Sequence, residues 1–274
     1  MKTAAYTILK NELKYIKTWL LNTAQFDYRV LLDTGSTDGS WELLQEYAKN
    51  DPGLIIEQKV WDKWNFSVAR NYNLDMIPDD VNWCLSPDLD ERFSKNVLDE
   101  MHLMLNNYPE VHNMATPRLD IYTSEVFIGA PKQLPSNKIH RRHDYKWNSP
   151  IYEHVKWIHQ GIQEIELTLP NVFLIHDQDF KKSERSPLYL KMLIDEYETN
   201  PSNCWTLWFL VNHYFKERDL DNFIKTGCDF IKYNTQFGSK YHEVLSALTN
   251  MYRNPELPVE YKIIIEKTII GRSI

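Results

Sequence analysis

Short apolar runs alternate with stretches of helical periodicity along residues 1–90, the signature of strand–helix–strand units built round a parallel sheet. The pattern predicts strands at Ala4–Leu9, Tyr28–Leu32, Leu54–Val60 and Asn82–Leu85. Between them, Leu13, Ile16 and Leu20 repeat at helical spacing behind a cap at Asn11, Trp41, Leu44, Tyr47 and Ala48 mark a second helix, and Val68–Met76 a third. A helix over Asn96–Asn107 is followed by a strand-rich stretch from Val111 to Ile175, with turns expected at Pro117, Gly129-Ala130-Pro131, Pro135 and Gly161. From Lys181 helical periodicity takes over, and 187–199, 204–216 and 219–233 read as consecutive antiparallel helices. A boundary near residue 180 follows, with an α/β domain over 1–180 and a small all-α domain over 181–274.

Composition narrows the chemistry. The chain is 43% hydrophobic and 25% charged, as an ordinary folded protein is. With only 8 glycines, glycine-rich phosphate cradles are scarce, and neither a Walker loop nor G-x-G-x-x-G occurs. A net charge of −7 argues against broad wrapping by nucleic acid. Three scattered cysteines (Cys84, Cys204 and Cys228) form no metal pattern and suit a reducing compartment. The N-terminus lacks the apolar stretch of a signal peptide, and nowhere do 18 apolar residues run together, so the expectation is a cytoplasmic protein that does not span a membrane.

Acidic residues then mark a site. Glu12, Asp33 and the pair Asp88/Asp90 fall at or just beyond the C-terminal ends of three predicted parallel strands, the edge where open α/β sheets bind ligands. In an extended Asp88-Leu89-Asp90, two carboxylates one residue apart point the same way and can face one divalent ion, which in turn can hold a diphosphate. Alone the triplet is weak, because acidic pairs are abundant in loops; here it follows a short apolar strand and is extended by Glu91. In Leu32-Asp33-Thr34-Gly35-Ser36-Thr37-Asp38-Gly39-Ser40, Asp33 can accept hydrogen bonds from a pyrimidine imide or from ribose hydroxyls, while Ser36 or Asp38 can equally well cap the next helix.

Four segments in order, Lys10-Asn11-Glu12, Leu32 to Ser40, Phe66-Ser67-Val68-Ala69-Arg70-Asn71 and Asp88-Leu89-Asp90-Glu91, resemble the family-2-type glycosyltransferases of GT-A fold, in the subgroup with helical, tetratricopeptide-like C-terminal extensions. The resemblance implies a GT-A (nucleotide-diphospho-sugar transferase) mixed sheet flanked by helices, followed by the all-α domain. It implies a nucleoside pocket lined by Asn11, Glu12 and Asp33, with Arg70 near the diphosphate. Asp88 would meet ribose, metal and diphosphate, and Asp90 the metal more directly. His176, at the end of an apolar strand, would complete the site for manganese or magnesium, although a capping or buried histidine reads equally well.

Trp147 to Glu153 looks like the subgroup's Trp-x(4)-His-Glu element, with Tyr152 in place of the histidine. Glu153 is the candidate base for an inverting transfer, a plain strand glutamate being the alternative, and His154 could take the missing histidine's place. The basic run Lys138, His140, Arg141, Arg142, His143 and Lys146 reads as a solvated face, or as a surface for donor phosphate or an anionic acceptor.

The function expected is metal-dependent glycosyl transfer from a nucleoside-diphosphate sugar, UDP-linked first. The acceptor stays open among a surface glycan, a protein and a hydroxymethylated phage DNA base. One rival is a non-catalytic module that binds a sugar nucleotide or glycan and uses the helices as a partner platform. The other, a nucleotidyltransferase, calls for an N-terminal glycine-rich loop that this sequence lacks.

Overall fold

The computed structural model describes residues 1–122, 127–128, 132–151, 153–178, 187–234 and 238–270. The chain divides into two compact units, Met1–Ser183 and Glu184–Ile274. The boundary expected near residue 180 falls in 179–186, outside the described residues.

The first unit starts with the alternation the sequence shows: β1 (Thr3–Leu9), α1 (Leu13–Thr23), β2 (Tyr28–Asp33), α2 (Ser40–Ala48), β3 (Leu54–Gln58), α3 (Phe66–Asp75) and β4 (Trp83–Leu85). It continues with β5 (Glu91–Phe93), α4 (Val97–Asn107), β6 (Asn113–Tyr122), β7 (Phe127–Ile128), β8 (Lys132–Arg141), β9 (Tyr145–Asn148), β10 (His154–Trp157), β11 (Glu166–Thr168) and β12 (Leu174–Gln178). The main sheet runs β3-β2-β1-β4-β8-β6-β12-β5, with β7 and β11 also on β6, while β9 and β10 form a separate pair. The strands β3, β2, β1 and β4 are mutually parallel; β8 lies antiparallel between β4 and β6, and β5 antiparallel on β12.

Alternate residues of the parallel strands feed two cores, because successive side chains leave a sheet on opposite faces. Ala5, Leu9, Leu31, Trp83 and Leu85 pack with Ile16, Trp19, Leu44 and Met101 on one face. Ala4, Tyr6, Val30 and Cys84 pack with Leu74, Ile77 and Trp147 on the other. The sheet is therefore covered by helices on both sides, and its C-terminal edge is left for function.

Two turn expectations were misplaced. Pro117 lies inside β6 and Pro135 inside β8, where the pairing register slips between Thr116↔Ser136 and Arg118↔Lys132. A proline donates no ladder hydrogen bond, so it is tolerated at such an irregularity. Gly161 does turn, with φ +75, whereas Gly129-Ala130-Pro131 lies outside the described residues.

The second unit holds α5 (Pro187–Thr199), α6 (Cys204–Glu217), α7 (Leu220–Tyr233), α8 (Gly238–Tyr252) and α9 (Val259–Ile270). Asn203 caps α6 by accepting from the Trp205 and Thr206 N–H groups, and Asp219 caps α7 by accepting from that of Asn222. Leu207, Val211, Phe223, Phe230, Ile231, Val244, Leu248 and Ile265 form its core.

Candidate active site

Asp33 is the last residue of β2 and is fully buried. Its Oδ1 accepts from the backbone N–H groups of Gly35 and Ser36, both at 2.8 Å, and from Gln58 Nε2 at 3.1 Å. Its Oδ2 is buried and has no hydrogen-bond partner among the described residues. A buried carboxylate oxygen without a donor costs free energy, so this atom is suited to receive an N–H or O–H from a ligand.

The loop after Asp33 is folded by its polar side chains. Gly35 (φ +102) and Gly39 (φ +92) supply left-handed turns. Asn11, expected as a helix cap, is itself left-handed at φ +57, and Glu12 occupies the cap position. Asn11 instead stitches two loops: its N–H donates to Ser36 Oγ at 2.8 Å and its Oδ1 accepts from the Thr37 N–H at 2.8 Å. The Glu12 N–H donates to Ser40 Oγ at 3.2 Å, and Asp38 accepts from the Leu13 N–H at 3.1 Å. Asp38 thus caps α1 across the loop and also accepts from the Ser40 N–H at the start of α2 at 3.0 Å; only the second contact is the alternative the sequence left open.

The Asp88-Leu89-Asp90-Glu91 element differs from its expected form. It is a turn closed by the Glu91 N–H donating to Asp88 O at 2.9 Å, not an extended segment, and its two aspartates serve different partners. Asp88 accepts from Arg70 Nη2 at 2.7 Å and from Lys138 Nζ at 3.0 Å. Burial pushes the Asp88 carboxyl up, but Lys138 and Arg70 outweigh it and hold it well below the ordinary carboxylate range. Glu91 is buried, pairs with Lys138 Nζ and Arg118 Nη1, each at 3.2 Å, and accepts from the Asp88 N–H at 3.0 Å.

Asp90 faces the other way, with its Oδ2 at 3.5 Å from His176 Nε2. Strand register explains the meeting: His176 on β12 is paired with Glu91 on β5 and with Asp120 on β6. His176 Nδ1 lies 3.1 Å from Asp120 Oδ1 and also contacts Arg118, whose Nε donates to Asp120 at 3.0 Å. Burial opposes a proton on His176, but hydrogen bonding to Asp90 and Asp120 raises its pKa above the ordinary histidine value.

Arg70, on α3, is 6% exposed and joins Asp88 to Glu153. Its Nη2 holds Asp88, its Nε donates to Glu153 Oε1 at 2.6 Å, and its guanidinium carbon stands 4.6 Å from the Trp147 ring centroid. Burial disfavours its charge, and Asp88 and Glu153 more than restore it. Two of its three nitrogens are therefore committed to carboxylates. Glu153 is brought in just ahead of β10, while Tyr152 lies outside the described residues.

The basic run is no continuous patch. Lys138 joins the acidic centre, and His140 is fully buried with its Nε2 2.8 Å from the Tyr6 hydroxyl. Arg141 donates to the carbonyls of Val111 and Pro109, Arg142 to that of Ile77. His143 Nε2 lies 3.2 Å from the Asp79 carbonyl, and Lys146 is exposed. The reading of this run as a solvated or DNA-binding face is therefore corrected. Strand alternation accounts for it, since every second residue of β8 turns inward.

The site has two centres, Asn11/Glu12/Asp33 and Asp88/Asp90/Glu91/Arg70/Lys138/Glu153/His176. β2 and β4 both pair with β1, so the two lie about two strand spacings, ~10 Å, apart along one edge. Residues 6–161, more than half of the chain, match the family described as Glycosyl transferase family 2. The chain belongs to that family.

As a family 2 glycosyl transferase it has the GT-A architecture of a mixed sheet flanked by helices. S. aureus TarS 1–349 in complex with UDP-GlcNAc aligns with 99% of this chain and 92% of that one, at a TM-score of 0.58 and 14% identity. The same TarS segment in complex with UDP gives 0.55 at 13% identity over the same shares. A longer S. aureus TarS structure gives 0.50 at 12% identity, over 100% of this chain and 53% of that one. At such identities the likeness is one of fold. No curated protein matches the chain.

Among the described residues no three His, Cys, Asp or Glu side chains are grouped to hold a metal ion by themselves, and no helix is long and apolar enough to cross a membrane. Glu91, Arg118 and Asp120 belong to the site and were given no role from the sequence. Lys138, offered there only as part of a basic surface for donor phosphate or an anionic acceptor, pairs with Asp88 and Glu91. Glu91 could have been found from its place in the acidic element, and Lys138 from strand alternation; Arg118 and Asp120 carried no local signal.

Proposed function

We propose that this family 2 glycosyl transferase uses a UDP-sugar as donor, with a divalent cation, and transfers the sugar with inversion to an acceptor hydroxyl activated by Glu153. The observation that carries the donor assignment is the buried Oδ2 of Asp33, which has no hydrogen-bond partner among the described residues. A uracil imide offers one N–H to such an atom, and neighbouring ribose hydroxyls offer more. The complexes of TarS with UDP and UDP-GlcNAc agree with this choice.

The distance of about 10 Å between the Asp33 and Asp88 strands suits a nucleoside at one centre and its diphosphate at the other. Asp90 and His176 are the protein groups that would hold manganese or magnesium, a carboxylate oxygen and an imidazole nitrogen that suit either ion. As only a pair, they leave coordination positions for phosphate oxygens and water. The Asp120 carboxylate beside Nδ1 would orient the imidazole so that Nε2 can bind metal. When bound, the ion supplies positive charge against the departing diphosphate.

Arg70 pairs with Glu153 at 2.6 Å and so fixes the direction of the carboxylate that would act as the base. Glu153 then takes the proton of the acceptor hydroxyl. Arg70 and Lys138 are gathered on Asp88 but are already offset by Asp88, Glu91 and Glu153, so most of the charge against the diphosphate would come from the bound ion. The acceptor class is open among glycan, protein and modified DNA, and the inward turn of the basic run removes the main argument for DNA.

The test is differential scanning fluorimetry with UDP, GDP and CMP, each with manganese or with EDTA, followed by UDP release from UDP-glucose, UDP-galactose and UDP-N-acetylglucosamine. UDP with manganese should give the largest stabilisation, and at least one UDP-sugar should turn over. Equal response to all three nucleotides would overturn the donor assignment. Unchanged turnover in Asp90→Ala would remove the metal role.

A further inference from the structure

Two buried titratable groups, Tyr6 and His140, have no part in the mechanism above, although both are 0% exposed. They lie in one hydrogen-bonded chain. The Trp147 indole N–H donates to the Tyr6 hydroxyl at 2.8 Å, and that hydroxyl lies 2.8 Å from His140 Nε2. His140 Nδ1 lies 2.9 Å from the Arg141 carbonyl. The donors fix the direction of the whole chain. An indole N–H can only donate and a carbonyl can only accept, so the Tyr6 oxygen accepts from Trp147, His140 Nδ1 donates to Arg141, and the Tyr6 proton goes to His140 Nε2. That nitrogen must be bare, and the single imidazole proton sits on Nδ1 and donates to the carbonyl. Every polar atom of the chain is satisfied in this one arrangement, with no charge buried.

The chain ends on a residue that touches the site. Trp147 is clamped to α3 by Asn71, whose Nδ2 donates to Trp147 O at 2.9 Å and whose Oδ1 accepts from the Trp147 N–H at 2.8 Å. The Trp147 ring lies against the Arg70 guanidinium, and Nη1 of Arg70 has no hydrogen-bond partner among the described residues. The other two nitrogens of Arg70 aim Glu153 and Asp88. One indole ring therefore packs against the guanidinium that holds both carboxylates.

We propose that Tyr6 and His140 are positioning residues for the transfer: they lock the Trp147 ring against Arg70 and, through Arg70, set the Glu153 carboxylate toward the acceptor hydroxyl. The proposal rests on Glu153 as the base. It predicts that loss of a hydroxyl in the core acts on kcat rather than on donor binding. Misplacing a reacting group by about 1 Å can cost on the order of a hundredfold in rate, so a smaller displacement is expected to cost about tenfold.

The test compares Tyr6→Phe, Trp147→Phe, Glu153→Gln and Tyr6→Phe/Glu153→Gln, using UDP-N-acetylglucosamine hydrolysis with manganese as the probe reaction. Trp147→Phe keeps an aromatic face for Arg70 but removes the indole donor. Each of the first two variants should lose about tenfold in kcat with the donor KM changed less than twofold. In the double variant the Tyr6→Phe loss should vanish, because residues acting through one another are non-additive. Additive losses, or equal losses in kcat and donor affinity, would overturn the proposal. An independent reading comes from the Arg70 Nε–H signal in a proton–nitrogen NMR spectrum, held by the Glu153 hydrogen bond. It should shift or broaden in Tyr6→Phe, and an unmoved signal refutes positioning whatever the turnover. Full activity of Glu153→Gln alongside a shifted Arg70 signal would instead refute the base assignment and leave the mechanical link intact.

Discussion

At the scale of single residues, the site is held by pairs of unequal kinds. Asp33 has one carboxylate oxygen saturated by Gly35, Ser36 and Gln58 and the other bare. Replacing it with asparagine keeps the shape but can set an amide N–H₂ against a donor. Asp33→Asn should weaken UDP binding by about 1–3 kcal/mol, roughly five- to 150-fold, with the loss read by isothermal titration calorimetry. An unaltered affinity would remove Asp33 from the nucleoside pocket. Lys138 is the opposite case, a cation shared by Asp88 and the buried Glu91. Lys138→Met leaves Glu91 with Arg118 as its remaining cation and should destabilise the fold by about 3 kcal/mol in urea denaturation. Adding Glu91→Gln should recover part of that loss, since the uncompensated charge goes with it. A double variant no more stable than Lys138→Met would contradict this account.

At the scale of elements, what was legible in the sequence is what short-range rules control. The β1-to-β4 alternation was readable from apolar runs and helical spacing, and the acidic residues at its C-terminal edge followed from strand polarity. β5 escaped notice because three residues, Glu91–Phe93, carry too little pattern, and its pairing with β12 is a long-range choice. The turn form of Asp88-Leu89-Asp90 was hidden for a related reason: buried Glu91 pulls the backbone round by accepting the Asp88 N–H, and burial of a glutamate is not written locally. The Glu153–Arg70 contact joins residues 83 apart, which no spacing rule foresees. The element most exposed to test is α3, which carries Arg70. Its Asn65 cap accepts from the Val68 N–H at 3.1 Å. Asn65→Ala should cost about 1 kcal/mol in stability. Because the capped turn immediately precedes Arg70, it should also lower turnover of the UDP-sugar at a temperature where the protein is still fully folded. A stability loss with normal turnover would mean that Arg70 is held by its carboxylates and Trp147 alone.

At the scale of the whole molecule, buried polar groups give the stability a defined dependence on pH. Burial pushes His140 down to about 4 from its ordinary 6.5. The folded protein therefore leaves this imidazole neutral between pH 6.5 and about 4, while the unfolded chain takes up a proton there. Stability must fall as the pH is lowered through that window, since the unfolded state binds more protons. The drop from this group amounts to about 3 kcal/mol, at 1.36 kcal/mol per unit. His112, also lowered by burial, acts in the same direction. His176 works in a separate window: its pKa is raised, so its contribution is complete below its ordinary 6.5 and is lost as the pH rises through its folded value. Asp88 acts lowest of all, because its depressed pKa preserves its contribution down to its ordinary 3.8 and gives it up only below that. The histidines together place a stability maximum near pH 6.5, with acid loss beginning well above the carboxylate range. His140→Gln separates the contributions, because glutamine can still accept from the Tyr6 hydroxyl but does not titrate. Urea denaturation of both proteins from pH 7.5 to pH 4 should show the native protein losing about 3 kcal/mol more than the variant, with the divergence confined to pH 6.5–4. Parallel curves would mean that His140 takes up its proton in the fold as readily as in the unfolded chain, and that the Tyr6–His140 hydrogen bond does not keep Nε2 bare.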